Sequence, residues 1–280
     1  MIYSLFDILS RTYIQYAFIV GVMMSLAGAL LGVSLVLKKH SMIGDGLSHV
    51  GFGTVAIACC IGVAPLAFAI PLVILSSFLI LFLSNRSKIF GDSAIALFST
   101  LALAVGYAAI EMGDGVNFNV SSYLYGSLLG VTKTEVILSI VVAVVVVITY
   151  VFLYNRIFSI TFDETFSKST GMKTTLINVI LSILISLTVV IGMKVMGALL
   201  ITALIIFPTL SSRQIFKTFK MVTIFSVISS VVCFIIGLLL ACIINNLPIG
   251  SSIVFVNFIC CVICFVIGRI LKYKQNKAED

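Results

Sequence analysis

The sequence predicts an all-α polytopic membrane protein, one transmembrane domain across residues 1–280, and three observations carry that prediction. The 280 residues are 61% hydrophobic and only 10% charged, with a mean hydropathy of +1.28. A soluble domain carries roughly 25% charged residues and cannot hide this much apolar surface in one core. Runs such as VILSIVVAVVVVITYVFLY, Val136 to Tyr154, are continuous rather than alternating. They suit spanning helices and not the strands of a β-barrel. The net charge of +7 comes from basic residues gathered in short segments between the runs, the pattern of positive-inside topology rather than of nucleic-acid binding.

Taken in order, the apolar runs predict helices at about 13–37, 42–62, 65–84, 93–111, 134–155, 175–193, 197–212, 221–243 and 250–271. The first run follows Arg11. It is too long for a signal-peptide core and has no small-residue cleavage site, so it is expected to stay as a helix. The segment FNVSSYLYGSLLGV, Phe118 to Val131, is too short and too rich in Ser, Asn and Gly to span. It is predicted to be re-entrant or interfacial. The seven Cys residues all lie in apolar runs. Cys261 and Cys264 have Cys-x-x-Cys spacing, but no second pair or nearby His completes a site, so all seven are expected to act as small hydrophobes.

Counting charges orients these nine helices. With the N-terminus outside, the inner segments hold Lys38, Lys39, Arg86, Lys88, Arg156, Lys168, Lys173, Arg213, Lys217, Lys220, Arg269, Lys272, Lys274 and Lys277. That is 14 of the 17 Lys and Arg residues. Only Arg11, Lys133 and Lys194 fall outside, and a tenth crossing at 118–131 would set the two halves against each other. The rule therefore predicts N-out, C-in and nine crossings.

The longest polar internal segment, 155–175, contains TFDETFSKSTGM. Thr161 or Asp163 can cap a helix there, and Asp163 and Glu164 suit its positive dipole end. Phe162 and Phe166 are four apart and would share a face, and Gly171 can end the helix in a left-handed conformation. This predicts a short amphipathic helix over about 162–172, either resting on lipid or docking a soluble partner.

One stretch does not look like filler. SMIGDGLSHVGFG, Ser41 to Gly53, places Asp45 and His49 at i, i+4 near the start of the second helix. They would lie on one face, with His49 on the order of 10 Å into the bilayer. An ionisable group at that depth is costly unless paired or facing water, and marks function by default. A carboxylate and an imidazole suit a divalent cation such as Zn²⁺, or Mn²⁺. The plain alternative is a local Asp–His hydrogen bond or a helix cap. Gly44, Gly46, Gly51 and Gly53 favour close helix approach,. Two ligands do not complete a site, but a second copy across a two-fold axis would bring four.

Two further stretches stand out. In GALLITALIIFPTLSSR, Gly197 to Arg213, Pro208 should kink the helix or mark its exit. LPIGSSIVFVN, Leu247 to Asn257, starts a helix with a proline-glycine turn. No G-x-x-x-x-G-K-[ST] loop, H-E-x-x-H or plausible G-x-S-x-G elbow occurs. ATP hydrolysis by a Walker mechanism is therefore not expected of this chain, and neither of the two hydrolase signatures is present.

MIGDGLSHVGFG, FNVSSYLYGSLLG, FDETFSKSTGM, GALLITALIIFPTLSSR and LPIGSSIVFV occur in this order across nearly the whole chain. Together they resemble the permease subunits of bacterial zinc and manganese ABC importers. The resemblance implies a multi-pass protein of the bacterial plasma (inner) membrane, a homodimer that is not itself an enzyme. It implies three protein partners: a cytoplasmic ATP-binding subunit, an extracellular metal-binding protein and a second copy of the chain. No permanently bound cofactor is implied, only transported Zn²⁺ or Mn²⁺. Phe162–Met172 corresponds to the coupling helix, with Phe162, Asp163, Glu164, Phe166 and Gly171 at the ATPase contact, which tilts the lipid-or-partner alternative towards docking. Asp45 and His49 correspond to the residues of the metal path. One departure is visible: many members carry Pro-Gly a few residues after the His, where this chain has Gly53-Thr54, and a glycine still permits an irregular backbone there.

The expected mechanism is alternating access, with zinc favoured over manganese by the Asp–His donor pair. Three rivals compete. A permease for siderophores or other chelates would want a wide, aromatic-lined path and no in-membrane His. An ion-coupled secondary transporter should show internal repeats with paired polar helices, and only one such helix is present. An intramembrane metalloenzyme needs more ligands and a general base than two His supply; His40, beside Lys38 and Lys39, reads as interfacial.

Overall fold

Each apolar run folds as a helix in the computed structural model, which describes residues 11–86, 91–113, 123, 126, 128–244 and 247–279. In chain order the helices are α1 (Thr12–Leu37), α2 (Ile43–Ile61), α3 (Pro65–Arg86), α4 (Gly91–Met112), α5 (Lys133–Phe152), α6 (Tyr154–Phe162), α7 (Glu164–Ser169), α8 (Thr174–Met196), α9 (Ala198–Ile215), α10 (Phe219–Ile243) and α11 (Ile249–Glu279). Nine of them, all except α6 and α7, are long and apolar enough to cross a membrane among the described residues. The predicted boundaries agree within a few residues, except that α11 continues to Glu279.

Local chemistry explains the helix ends. α2 stops at Gly62, whose left-handed φ of 76° turns its N–H back to the Cys59 carbonyl,. α5 starts with a capping box, in which Thr132 accepts from the Glu135 N–H and the Glu135 carboxylate accepts from the Thr132 N–H at 2.9 Å,. α9 runs through Pro208 to Ile215, so the proline is not the exit. Its carbonyl accepts from Ser226 of α10 at 3.3 Å. The expected re-entrant segment falls largely outside the described residues. Its described part ends in a short 3₁₀ turn, Leu128–Gly130, packed on α1.

A single residue separates α8 from α9. Gly197 sits at φ 91°, ψ 155°, a region closed to L side chains. A Cβ on Gly126 would meet the Met196 carbonyl oxygen, so two glycines at positive φ share one corner. Gly197→Ala is expected to cost about 1–3 kcal/mol of local strain and to lower the thermal midpoint of the detergent-purified protein. An unchanged midpoint would show that the corner tolerates a Cβ.

α1 lies at the centre, against α5, α9 and α10, and α2 packs on α3, α4, α8 and α9. Lipid is as apolar as leucine, so close fit and hydrogen bonds hold these helices together rather than escape from water. Several buried hydroxyls accordingly bond backbone carbonyls. Ser230 of α10, for example, donates to the Ser25 carbonyl of α1 at 3.1 Å. Outside this core, Leu97, Leu101 and Val105 of α4 and Ile137, Val141 and Ile148 of α5 form exposed apolar stripes suited to lipid.

The bundle has two chemically distinct ends. Lys38 at the end of α1 reaches Glu164 and Asn178, and Arg213 and Lys217 border a cavity there with Leu37 and Phe162. At the other end Lys194 pairs with Glu135 at 2.8 Å.

Candidate functional site

α2 carries the polar pair because its N-terminus starts directly at the basic end. The α1–α2 turn is only five residues long, 38–42, and Lys39 takes a left-handed φ of 62° within it. Asp45 then falls in the first turn of α2, where a carboxylate is favoured by the helix dipole. His49 follows one turn later on the same face. Their side chains are 39% and 26% exposed, in a helix most of whose other residues are buried.

The pair is not locked together. His49 Nε2 lies 3.5 Å from Asp45 Oδ2, beyond the usual hydrogen-bond range of about 2.7–3.2 Å. His49 Nδ1 is buried and has no hydrogen-bond partner among the described residues. The separation does suit chelation. Two donors each about 2.1 Å from one ion are roughly 3.4 Å apart in tetrahedral geometry and roughly 3.0 Å apart at octahedral right angles. The observed spacing is closer to the tetrahedral value. Among the described residues no group of three His, Cys, Asp or Glu side chains could hold a metal.

The glycines flanking the pair serve packing. A Cβ on Gly46 would strike Ile95 of α4, and one on Gly53 would strike the Ala102 carbonyl. α2 therefore lies flush on α4, and its helix continues through Gly53 and Thr54. The irregular backbone that Gly53 permits does not occur. Beyond the pair Phe52 is fully buried against Tyr107, their ring centroids 5.4 Å apart.

The predicted helix over Phe162–Met172 is two helices. Phe162 ends α6, Asp163 breaks the chain at φ −147°, ψ 98°, and α7 covers Glu164–Ser169. Asp163 is the cap, its Oδ1 accepting from the Phe166 N–H at 2.8 Å, whereas Thr161 donates to the Ile157 carbonyl inside α6. Gly171 closes the segment at φ 81°. Phe162 and Phe166 are each 62% exposed but do not share one helix face. Phe162 joins a ring cluster with Phe158 and Phe219, which leaves Phe166 as the projecting ring of α7. The break arises because the Asp163 side chain competes for the backbone N–H that would continue α6, a local preference that favours caps over helix interiors.

Two residues beside α7 escaped the sequence reading. Lys38 Nζ donates to Asn178 Oδ1 at 2.9 Å, Asn178 Nδ2 donates to Glu164 Oε1 at 2.9 Å, and Lys38 and Glu164 approach to 3.6 Å. Burial pulls the Lys38 ammonium below its ordinary pKa, and the Glu164 charge opposes that shift,. Burial and the neighbouring Lys38 charge also push the His40 imidazole down. The available signal was Asn178 itself, an amide in the apolar run TTLINVILSIL. Its partners are 14 and 140 residues away in sequence, out of reach of local spacing.

Comparison with known proteins bears on this geometry. A probable metal transport system membrane protein of Thermotoga maritima is 33% identical over 253 residues, 90% of this chain and 89% of that protein. The high-affinity zinc uptake system membrane protein ZnuB of Haemophilus influenzae is 27% identical over 225 residues, 80% of this chain and 86% of that one. Among solved structures, PsaBC from Streptococcus pneumoniae in complex with Fab superposes with a TM-score of 0.85 at 26% identity, covering 98% of this chain and 100% of that chain. Residues 10–268 match the ABC 3 transport family, and with nearly its whole length matched and its membrane helices in place, the chain belongs to that family.

Proposed function

We propose that this chain is the membrane permease of an ATP-driven importer of divalent metal ions, zinc or manganese, working as a homodimer in the bacterial plasma membrane. The observation that carries the metal reading is the Asp45–His49 pair, with Oδ2 and Nε2 3.5 Å apart on a partly exposed face. Two such pairs across a two-fold axis supply two carboxylates and two imidazoles, a donor set that suits Zn²⁺ and Mn²⁺. The names of its relatives, a metal transport protein and a zinc uptake protein, support the same substrate class.

Lacking an ATP-binding loop, the permease needs a separate ATPase at its basic, cytoplasmic end, and an extracellular metal-binding protein delivers the ion to the opposite end. α7 is the docking element. Its projecting Phe166 inserts into the ATPase, and nucleotide-driven movement of that subunit tilts the bundle. The ion then passes from an outward to an inward opening, with Asp45 and His49 of both protomers holding it in transit.

Rescue of growth tests this reading. Strains deleted for the gene should fail in zinc-starved or manganese-starved medium, and restoring the gene should rescue one of the two. The rescued condition names the ion. Rescue of neither, with uptake of an intact chelate instead, would overturn the proposal.

A further inference from the structure

The cluster beside α7 has a second consequence for transport. Lys38, Asn178 and Glu164 come from three separate segments: the α1–α2 turn, α8 and α7. Asn178 is the hub, accepting from Lys38 through Oδ1 and donating to Glu164 through Nδ2, both at 2.9 Å. The Lys38 side chain is only 16% exposed, so the ammonium is held by the protein rather than by water.

Each neighbour of this ring leads towards the polar pair. Lys38 closes α1, its N–H donating to the Ser34 carbonyl. The next residues are pinned in turn: the His40 N–H donates to the Leu35 carbonyl, and the His40 carbonyl accepts from the Ile43 N–H, the first residue of α2. Asp45 follows Lys38 by seven residues. α7 itself packs on α6 and α8, and the Glu164 carboxylate ties it to the α1–α2 turn through Lys38 and Asn178. A displacement of α7 that keeps the ring closed must carry the turn with it.

We propose that the Lys38–Asn178–Glu164 ring is the link through which movement of α7 reaches α2, making Lys38 and Asn178 positioning residues for the Asp45–His49 pair. This rests on the reading of α7 as the ATPase docking element. Links of this kind change coupling between sites by factors of about two to thirty when broken.

The experiment uses the permease with its own ATPase and metal-binding protein in proteoliposomes, measuring radiolabelled Zn²⁺ and Mn²⁺ taken up per ATP hydrolysed. Lys38→Met and Asn178→Leu are expected to retain the ATPase on copurification and to keep hydrolysing ATP. Uptake per ATP should drop about two- to thirtyfold in each. Lys38→Glu should show the same loss, whereas Lys38→Arg, which keeps the charge and a donor, should retain uptake per ATP. An unchanged ratio in Lys38→Met and Asn178→Leu overturns the link. So does a loss in Lys38→Arg equal to that in Lys38→Met, since packing rather than the polar ring would then be at fault. Loss of the ATPase from Lys38→Met or Asn178→Leu would place the ring in the docking surface and also overturn it. The docking reading stands or falls separately, on whether Phe166→Asp sheds the ATPase.

Discussion

His49→Ala is expected to reduce metal uptake by on the order of a hundredfold or more while the protein still inserts and folds. Even residues that only orient a metal ligand cost about ten- to a hundredfold in affinity when lost, and on the proposed reading this change removes a ligand from each protomer of a homodimer. Folding should survive because the imidazole contributes little to the protomer. Its contact with Asp45 is 3.5 Å, and its buried Nδ1 is unpartnered among the described residues. Growth in metal-limited medium and radiolabelled uptake read the effect, with protein abundance in membranes as the control. Normal uptake would remove His49 from the metal path and leave the pair a local helix feature.

Phe166→Asp should uncouple the permease from its ATPase. Exposed aromatic anchors that enter a partner's pocket contribute about 2 kcal/mol or more each. A carboxylate driven into the same pocket would be desolvated without a partner, which adds to the loss. The expected result is at least a thirtyfold weaker association, read as loss of the ATPase on copurification and loss of ATP-dependent uptake. Phe166 is exposed in the folded chain, so the variant should keep its thermal midpoint. Phe162→Asp should behave differently and lower the midpoint, because Phe162 stacks on Phe158 and Phe219. Unchanged copurification and transport in Phe166→Asp would remove α7 from the docking surface.

Helices were legible in the sequence wherever one physical demand dominated. A helix satisfies its own backbone in lipid, so hydropathy alone located α1 to α5 and α8 to α11. Gly62, Thr132 and Gly171 also act locally. The misreadings share the opposite cause. At Phe162–Met172 the i, i+4 spacing of the two phenylalanines suggested one helix, but the Asp163 cap divides it. Pro208 left a kink or an exit open, and α9 continues to Ile215 with Ser226 of the neighbouring α10 bonded at the proline carbonyl. In both cases the deciding partner was a competing cap or another helix.

The sequence by itself determined the membrane solvent, the nine spans found among the described residues, the lack of a Walker-type ATP-binding loop and the presence of an acid and an imidazole one helical turn apart. Each follows from composition or from contacts within about four residues. Only the tertiary structure decided that Asp45 and His49 leave their donors apart rather than bonded to each other, that Gly46 and Gly53 serve contact with α4, and that Lys38, Asn178 and Glu164 close a ring between the polar loop and the start of α2. Those outcomes depend on how helices distant in sequence fit against one another, and hydropathy, which sorts residues by solvent, carries no record of which neighbour each will meet.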